Sequence, residues 1–84
     1  MKSTFNIISG DYRGTVTRPV ETKNRFFVGD RVSLEDVEAY VPLNEETTGR
    51  NLACEKLGNV CVQIFVCNCS ALFDDLIEYD CIEV

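Results

Sequence analysis

From Phe5 to Thr17 apolar and polar positions alternate around a Gly-Asp pair. Phe5-Asn6-Ile7-Ile8-Ser9 and Tyr12-Arg13-Gly14-Thr15-Val16-Thr17 flank Gly10-Asp11. Two-residue Gly-Asp loops favour primed turns, because Gly tolerates φ > 0 without penalty, so this stretch predicts a β-hairpin. The implied register sets Phe5 opposite Val16 and Ile7 opposite Gly14, with Tyr12 on the same apolar face. Asn6, Arg13, Thr15 and Thr17 take the other face.

Arg18-Pro19 to Arg25 is polar and aperiodic and reads as a loop. Phe26-Phe27-Val28 is a short apolar run stopped by Gly29-Asp30. The next segment carries two patterns. Ser33 with Asp36 resembles a helix start, with Leu34, Val37 and Val41 at helical spacing. Val37, Ala39, Val41 and Leu43 also alternate with Glu38, Tyr40 and Asn44, and Pro42 would break a helix but is tolerated on an edge strand. A turn over Ser33–Asp36 leading into a strand fits best. Leu52–Leu57, Gly58-Asn59 and Val60–Cys67 predict a second hairpin. Val60, Val62, Ile64 and Val66 point one way and Cys61, Gln63, Phe65 and Cys67 the other, the pattern of a central strand covered on both faces.

Beyond it, Asn68 or Ser70 can cap a helix beginning near Ala71. Leu72, Phe73, Leu76 and Ile77 would form its buried stripe, with Asp74, Asp75 and Glu78 facing water. Asp80–Val84 reads as a final short strand or a docked end. The expected fold class is therefore α+β: two antiparallel β-hairpins forming a bent sheet or partial barrel, with a C-terminal α-helix packed on it. One domain spans residues 1–84.

The opening Phe-x-Ile-Ile-Ser-Gly-Asp-Tyr-x-Gly, the middle Ser-Leu-Glu-Asp-Val-Glu and an Ala-Cys-Glu hairpin before the C-terminal helix resemble short bacterial PH-like (GRAM-type) domains. That resemblance implies a bent antiparallel sheet closed at one end by the last helix. It also implies binding of lipid head groups or proteins, with Arg13, Arg18, Lys23 and Arg25 supplying a basic site for anionic lipid.

Composition narrows the classes of function. With 84 residues and 45% hydrophobic content the chain suits one small packed domain, and no stretch approaches a membrane span. The start lacks the apolar core of a signal peptide, which places the protein in the cytoplasm. Five cysteines (Cys54, Cys61, Cys67, Cys69 and Cys81) are odd in number, and His is absent. Reduced thiols acting as small hydrophobes fit better than zinc or a disulfide framework, and no metal or other cofactor is expected. Cys69, just before the proposed helix, could be a reactive thiolate with Cys67 resolving it; a buried thiol at the junction is the simpler reading.

Catalysis finds little support. Without His there is no Ser-His-Asp or Cys-His arrangement, and the five glycines form no phosphate loop. The chain reads as no enzyme. A nucleic-acid face at Tyr12, Phe26 and Phe27 is undercut by a pI near 4.4.

Charge is the most specific feature. The net charge is −6, with residues 1–34 at +3 and residues 35–84 at −9. Glu35, Asp36, Glu38, Glu45 and Glu46 in the middle and Asp74, Asp75 and Glu78 near the end are the candidate partner-binding carboxylates. A surface of this kind is complementary to a basic protein, and it is also what keeps a small domain soluble. The profile, short and acidic without catalytic residues, is similar to that of small phage- or mobile-element-encoded inhibitors such as anti-CRISPR and anti-restriction proteins. The expected function is a non-enzymatic protein-interaction domain, most concretely a stoichiometric inhibitor of a nucleic-acid-binding protein or defence complex. A PH-like module binding anionic lipid through the basic half is the alternative. A structural or assembly subunit is a third, since exposed strand edges allow pairing between copies.

Overall fold

A computed structural model describes the backbone of residues 1–42 and 54–84 and the side chains of 1–41 and 57–84. Among the described residues six strands follow one another: β1 (Lys2–Ser9), β2 (Thr15–Thr17), β3 (Val20–Glu21), β4 (Arg31–Pro42), β5 (Cys54–Leu72) and β6 (Leu76–Glu83). They form one sheet in the order β2-β4-β5-β6-β1-β3, and β2 returns to pair with β1, so five of the six strands close a barrel. Neighbours around that barrel are antiparallel except β1 and β6, which run parallel. This follows from the meander itself. Successive strands alternate direction, so the first and last of an odd number point the same way.

The core is what the inward faces of these strands supply. Phe5, Ile7, Val32, Leu34, Ile64, Val66, Ile77, Tyr79 and Cys81 form one buried cluster, with Phe26, Val37 and Val62 packed against it. Tyr79 is its centre. Its ring stacks on Phe5 at 5.6 Å and meets Phe26 edge-on at 5.6 Å, and its hydroxyl accepts the Phe26 N–H at 3.0 Å.

The fold class is all-β, which corrects the α+β expectation: the described residues contain no helix, and the C-terminal helix is replaced by strand, turn and strand. Leu72 ends β5, Phe73 to Asp75 make the turn, and Leu76 and Ile77 begin β6. The period-two pattern outweighs the helical one here. Ile77, Tyr79 and Cys81 are buried while Glu78, Asp80 and Ile82 alternate with them. Ile, Tyr and Phe suit a pleated surface better than a helix, and Asp74-Asp75 is turn chemistry rather than a helix interior. Phe73 and Leu72 consequently stand in solvent, 57% and 62% exposed. The closing helix implied by the PH-like resemblance goes with it.

Two other expectations change by smaller steps. The first hairpin exists, but Asn6 pairs with Val16 and Ile7 with Thr15, one residue away from the expected register. Such a slip exchanges the faces of a strand. Thr15 and Thr17 are therefore the buried positions, and Val16 is only half-buried. The turn also runs longer than Gly10-Asp11: Arg13 N–H reaches the Gly10 carbonyl and Thr15 N–H the Tyr12 carbonyl. Gly10, at φ +98°, leaves the room in which the Glu83 carboxylate sits, and that carboxylate accepts the Tyr12 N–H at 3.1 Å.

From Cys54 onward the second hairpin is instead part of one long strand, with Leu52 and Ala53 outside the described residues. Gly58 (φ +101°) marks a bulge where β5 stays paired with β4, Ala39 facing Gly58 and Tyr40 facing Lys56. The expected turn over Ser33–Asp36 is likewise a bulge within β4, with Asp36 at φ 57°. Asp tolerates that conformation better than most side chains, and the Asn59 amide donates to its carboxylate at 2.6 Å. The thiols divide. Cys81 is buried as expected of a small hydrophobe, whereas Cys61 and Cys69 are exposed and Cys67 half-exposed; none of these four is in a disulfide, and the Cys54 side chain lies outside the described residues. Cys69 lies within β5 rather than before a helix.

Candidate functional site

Pro19 shapes a concavity beside β4. β2 pairs with β4 only at Val16 and Thr17, and Arg18 N–H still reaches the Glu38 carbonyl at 2.9 Å. Pro19 has no N–H to continue that ladder. The chain then leaves β4 and docks on β1, where Val20 faces Ser3 and Glu21 faces Lys2. At this junction the Phe5 N–H is satisfied by the Thr17 hydroxyl oxygen at 3.0 Å. No ladder joins β3 to β4 among the described residues, so a groove opens between them.

The groove has a volume of about 480 Å³ and is lined by Phe5, Val20, Glu21, Thr22, Phe26, Val32, Ser33, Leu34, Glu35 and Val37. Strand alternation sorts these side chains. Val20, Val32 and Leu34 turn toward the barrel interior with Phe5 and Phe26, giving an apolar floor. Glu21, Ser33 and Glu35 are exposed, so a carboxylate stands on the outer side of each wall. The described lining contains neither Lys nor Arg. Glu21 accepts from the Met1 ammonium at 3.4 Å, an exposed pair that salt screens.

The predicted carboxylates do not gather into one patch. Glu35 lines the groove, and Asp36 sits beside it in the bulge, facing Asn59 and Cys61 of β5. Glu38 is half-buried further along β4, where its carboxylate meets Arg18 at 3.6 Å. Asp74 and Asp75 lie in the β5–β6 turn, and Glu78 follows on β6 opposite Ala71, with the C-terminal part of β5 between them and Asp36. Glu45 and Glu46 lie outside the described residues. The basic set is dispersed as well. Arg13 belongs to the β1–β2 turn, Arg18 follows β2 with its guanidinium 5.8 Å over the Tyr40 ring, and Lys23 and Arg25 lie on the β3–β4 connection. Arg13 also borders a second hollow of about 340 Å³ along the outer side of β1 and β2, with Asn6, Ile8 and Val16.

Sequence reading missed most of the groove. Val20 and Glu21 fell in a segment read as loop, Leu34 in one read as a turn, and Val32 in none of the expected elements. The available signal was Pro19 ahead of the Val20-Glu21 pair, a residue that ends one ladder and permits another on an edge. Compared with models of known families, with curated proteins and with solved structures, the chain matches none of them. No helix of the described residues is long and apolar enough to cross a membrane.

Proposed function

We propose that this protein is a non-enzymatic protein-interaction domain whose partner presents a basic surface, and that its most concrete role is stoichiometric inhibition of a nucleic-acid-binding protein. The observation carrying this reading is the groove between β3 and β4, with an apolar floor, Glu21 and Glu35 on its outer walls and no described lining cation. The net charge of −6, concentrated in residues 35–84, has the same sign. Complementary charge accelerates encounter and selects partners, while the apolar floor supplies the burial that holds them. Dispersal of Arg13, Arg18 and the pair Lys23 and Arg25 over three connections favours the groove over the lipid-binding alternative.

The test is competition. A panel of basic nucleic-acid-binding proteins, each loaded with labelled DNA or RNA, is titrated with the purified chain. At least one should release its nucleic acid near one equivalent, and release should weaken as salt rises, because exposed charges are screened over roughly 8–10 Å. Glu21→Lys with Glu35→Lys should diminish it. Release that ignores both salt and these reversals would show that the acidic groove is not the contact.

A further inference from the structure

We propose that the groove takes an extended segment of the partner as an added β-strand on the free edge of β4 at Arg31–Val37, the segment alternating apolar and cationic residues. This rests on the protein-interaction reading and specifies its mode. Three observations converge on it.

The first is backbone direction. On β5 the Val66 N–H bonds the Asp30 carbonyl, so the Val32–Ile64 and Leu34–Val62 pairs of the same antiparallel ladder exchange their hydrogen bonds. Gln63, opposite Ser33, turns its carbonyl away to the Val84 N–H at 2.9 Å. By the same alternation the N–H and C=O of Ser33 point away from β5, into the groove. They are the groups that a further strand would meet.

The second is the absence of a neighbour on that side over a defined length. β2 covers β4 only at Ala39 and Tyr40, and β3 belongs to β1, so Arg31–Val37 has no ladder partner there among the described residues. The gap is lined by strand edges on both sides, and its volume falls within the roughly 300–1,000 Å³ usual for ligand sites.

The third is the distribution of polarity across the pleat, which selects the occupant. An added strand would turn alternate side chains toward Phe5, Phe26, Val32 and Leu34 and the others toward solvent beside Glu21 and Glu35. Apolar residues suit the first set and Lys or Arg the second. An acidic or uniformly polar segment satisfies neither face.

The experiment uses the full chain with a synthetic peptide of alternating Val and Lys. Two controls accompany it: one of the same composition in block order, and one N-methylated at alternate residues so that it cannot donate to a strand edge. Amide shifts on titration should centre on Val32–Val37 and on Val20–Thr22. Block order and N-methylation should each weaken binding by about tenfold or more, since two or more strand hydrogen bonds are lost. Ser33→Pro should do the same. Proline is tolerated where the N–H faces outward from an edge, and preserved β4–β5 amide protection would confirm its fold; if the variant unfolds, the N-methylated peptide decides alone. Equal binding of all three peptides, with shifts at Asp74, Asp75 and Glu78, overturns strand addition and leaves the acidic-interaction reading standing. No peptide binding alongside intact competition against a basic protein also overturns strand addition alone. Failure of both peptide and competition experiments removes both.

Discussion

Replacing Tyr79 by Phe isolates one atom on which both the barrel and the groove depend. The tyrosine ring is fully buried, stacked on Phe5 with an interplanar angle of 19° and edge-on to Phe26 at 75°. Its hydroxyl accepts the Phe26 N–H at 3.0 Å and so ties the β3–β4 connection to β6. Tyr79→Phe keeps the ring packing and removes only that acceptor. A fully buried N–H left unpaired costs about 1–3 kcal/mol, but Phe26 is half-buried and water can partly replace the lost partner. The expected cost is therefore near 1 kcal/mol. Tyr79→Ala, which also empties the centre of the core, should cost about 3–5 kcal/mol. Against a total stability of roughly 0.05–0.15 kcal/mol per residue, the first variant folds and the second is at risk.

Urea unfolding gives the first readout: for Tyr79→Phe the midpoint should fall while the m-value stays unchanged. Amide exchange gives the second. The Phe26 N–H should exchange faster, with the protection of β5 and β6 amides reduced only in proportion to global stability. Because Phe26 is part of the groove floor, binding there should weaken even though the hydroxyl does not itself line it. A variant with wild-type midpoint and unchanged Phe26 exchange would show that the hydroxyl does not anchor the connection. A cost approaching that of Tyr79→Ala would show that it organises the packing of the rings as well.

What the sequence disclosed, and what it hid, follows from how far each signal reaches. Alternation over Val60–Val66 and Val37–Val41 identified strands, because burial of one face leaves a period that no distant residue can alter. Pairing was less legible. Gly10 and Gly58 look alike as punctuation, yet one lies in a hairpin turn and the other in a bulge inside β5. Positive φ is required in both, and only the length of the partner strand β4 separates them. The end of the chain failed for another reason. Leu72, Phe73, Leu76 and Ile77 satisfy a helical stripe, and over so few residues the same positions fit a strand-turn-strand. The parallel pairing of β6 with β1, from Lys2–Leu76 onward, settles the choice, and it joins opposite ends of the sequence. The groove was hidden similarly. Glu35 was visible as a carboxylate, but Glu21 becomes its counterpart only because Pro19 diverts β3 from β4 to β1.

Two further outcomes follow from the observed fold. Phe73→Ala should change stability by no more than about 0.5 kcal/mol, because the ring is 57% exposed in the β5–β6 turn; a loss of several kcal/mol in a thermal melt would restore a docked C-terminal element. Cys81 makes a prediction in pH. Burial, with smaller contributions from Cys67 and Asp80, pushes its thiol up from 9.0 to about 12. The unfolded thiol ionises first as pH rises, so the folded state holds the extra proton between those values. The stabilisation is complete below about pH 9 and is lost as pH climbs toward about 12, by up to about 1.4 kcal/mol per unit. Cys81→Ala lacks this dependence and carries a cavity cost at every pH. The stability gap between wild type and Cys81→Ala in urea should therefore be constant near neutrality and narrow steadily above about pH 9. A gap that stays constant through that range would mean that water reaches Cys81, and that the barrel interior between β1, β5 and β6 is not closed as described.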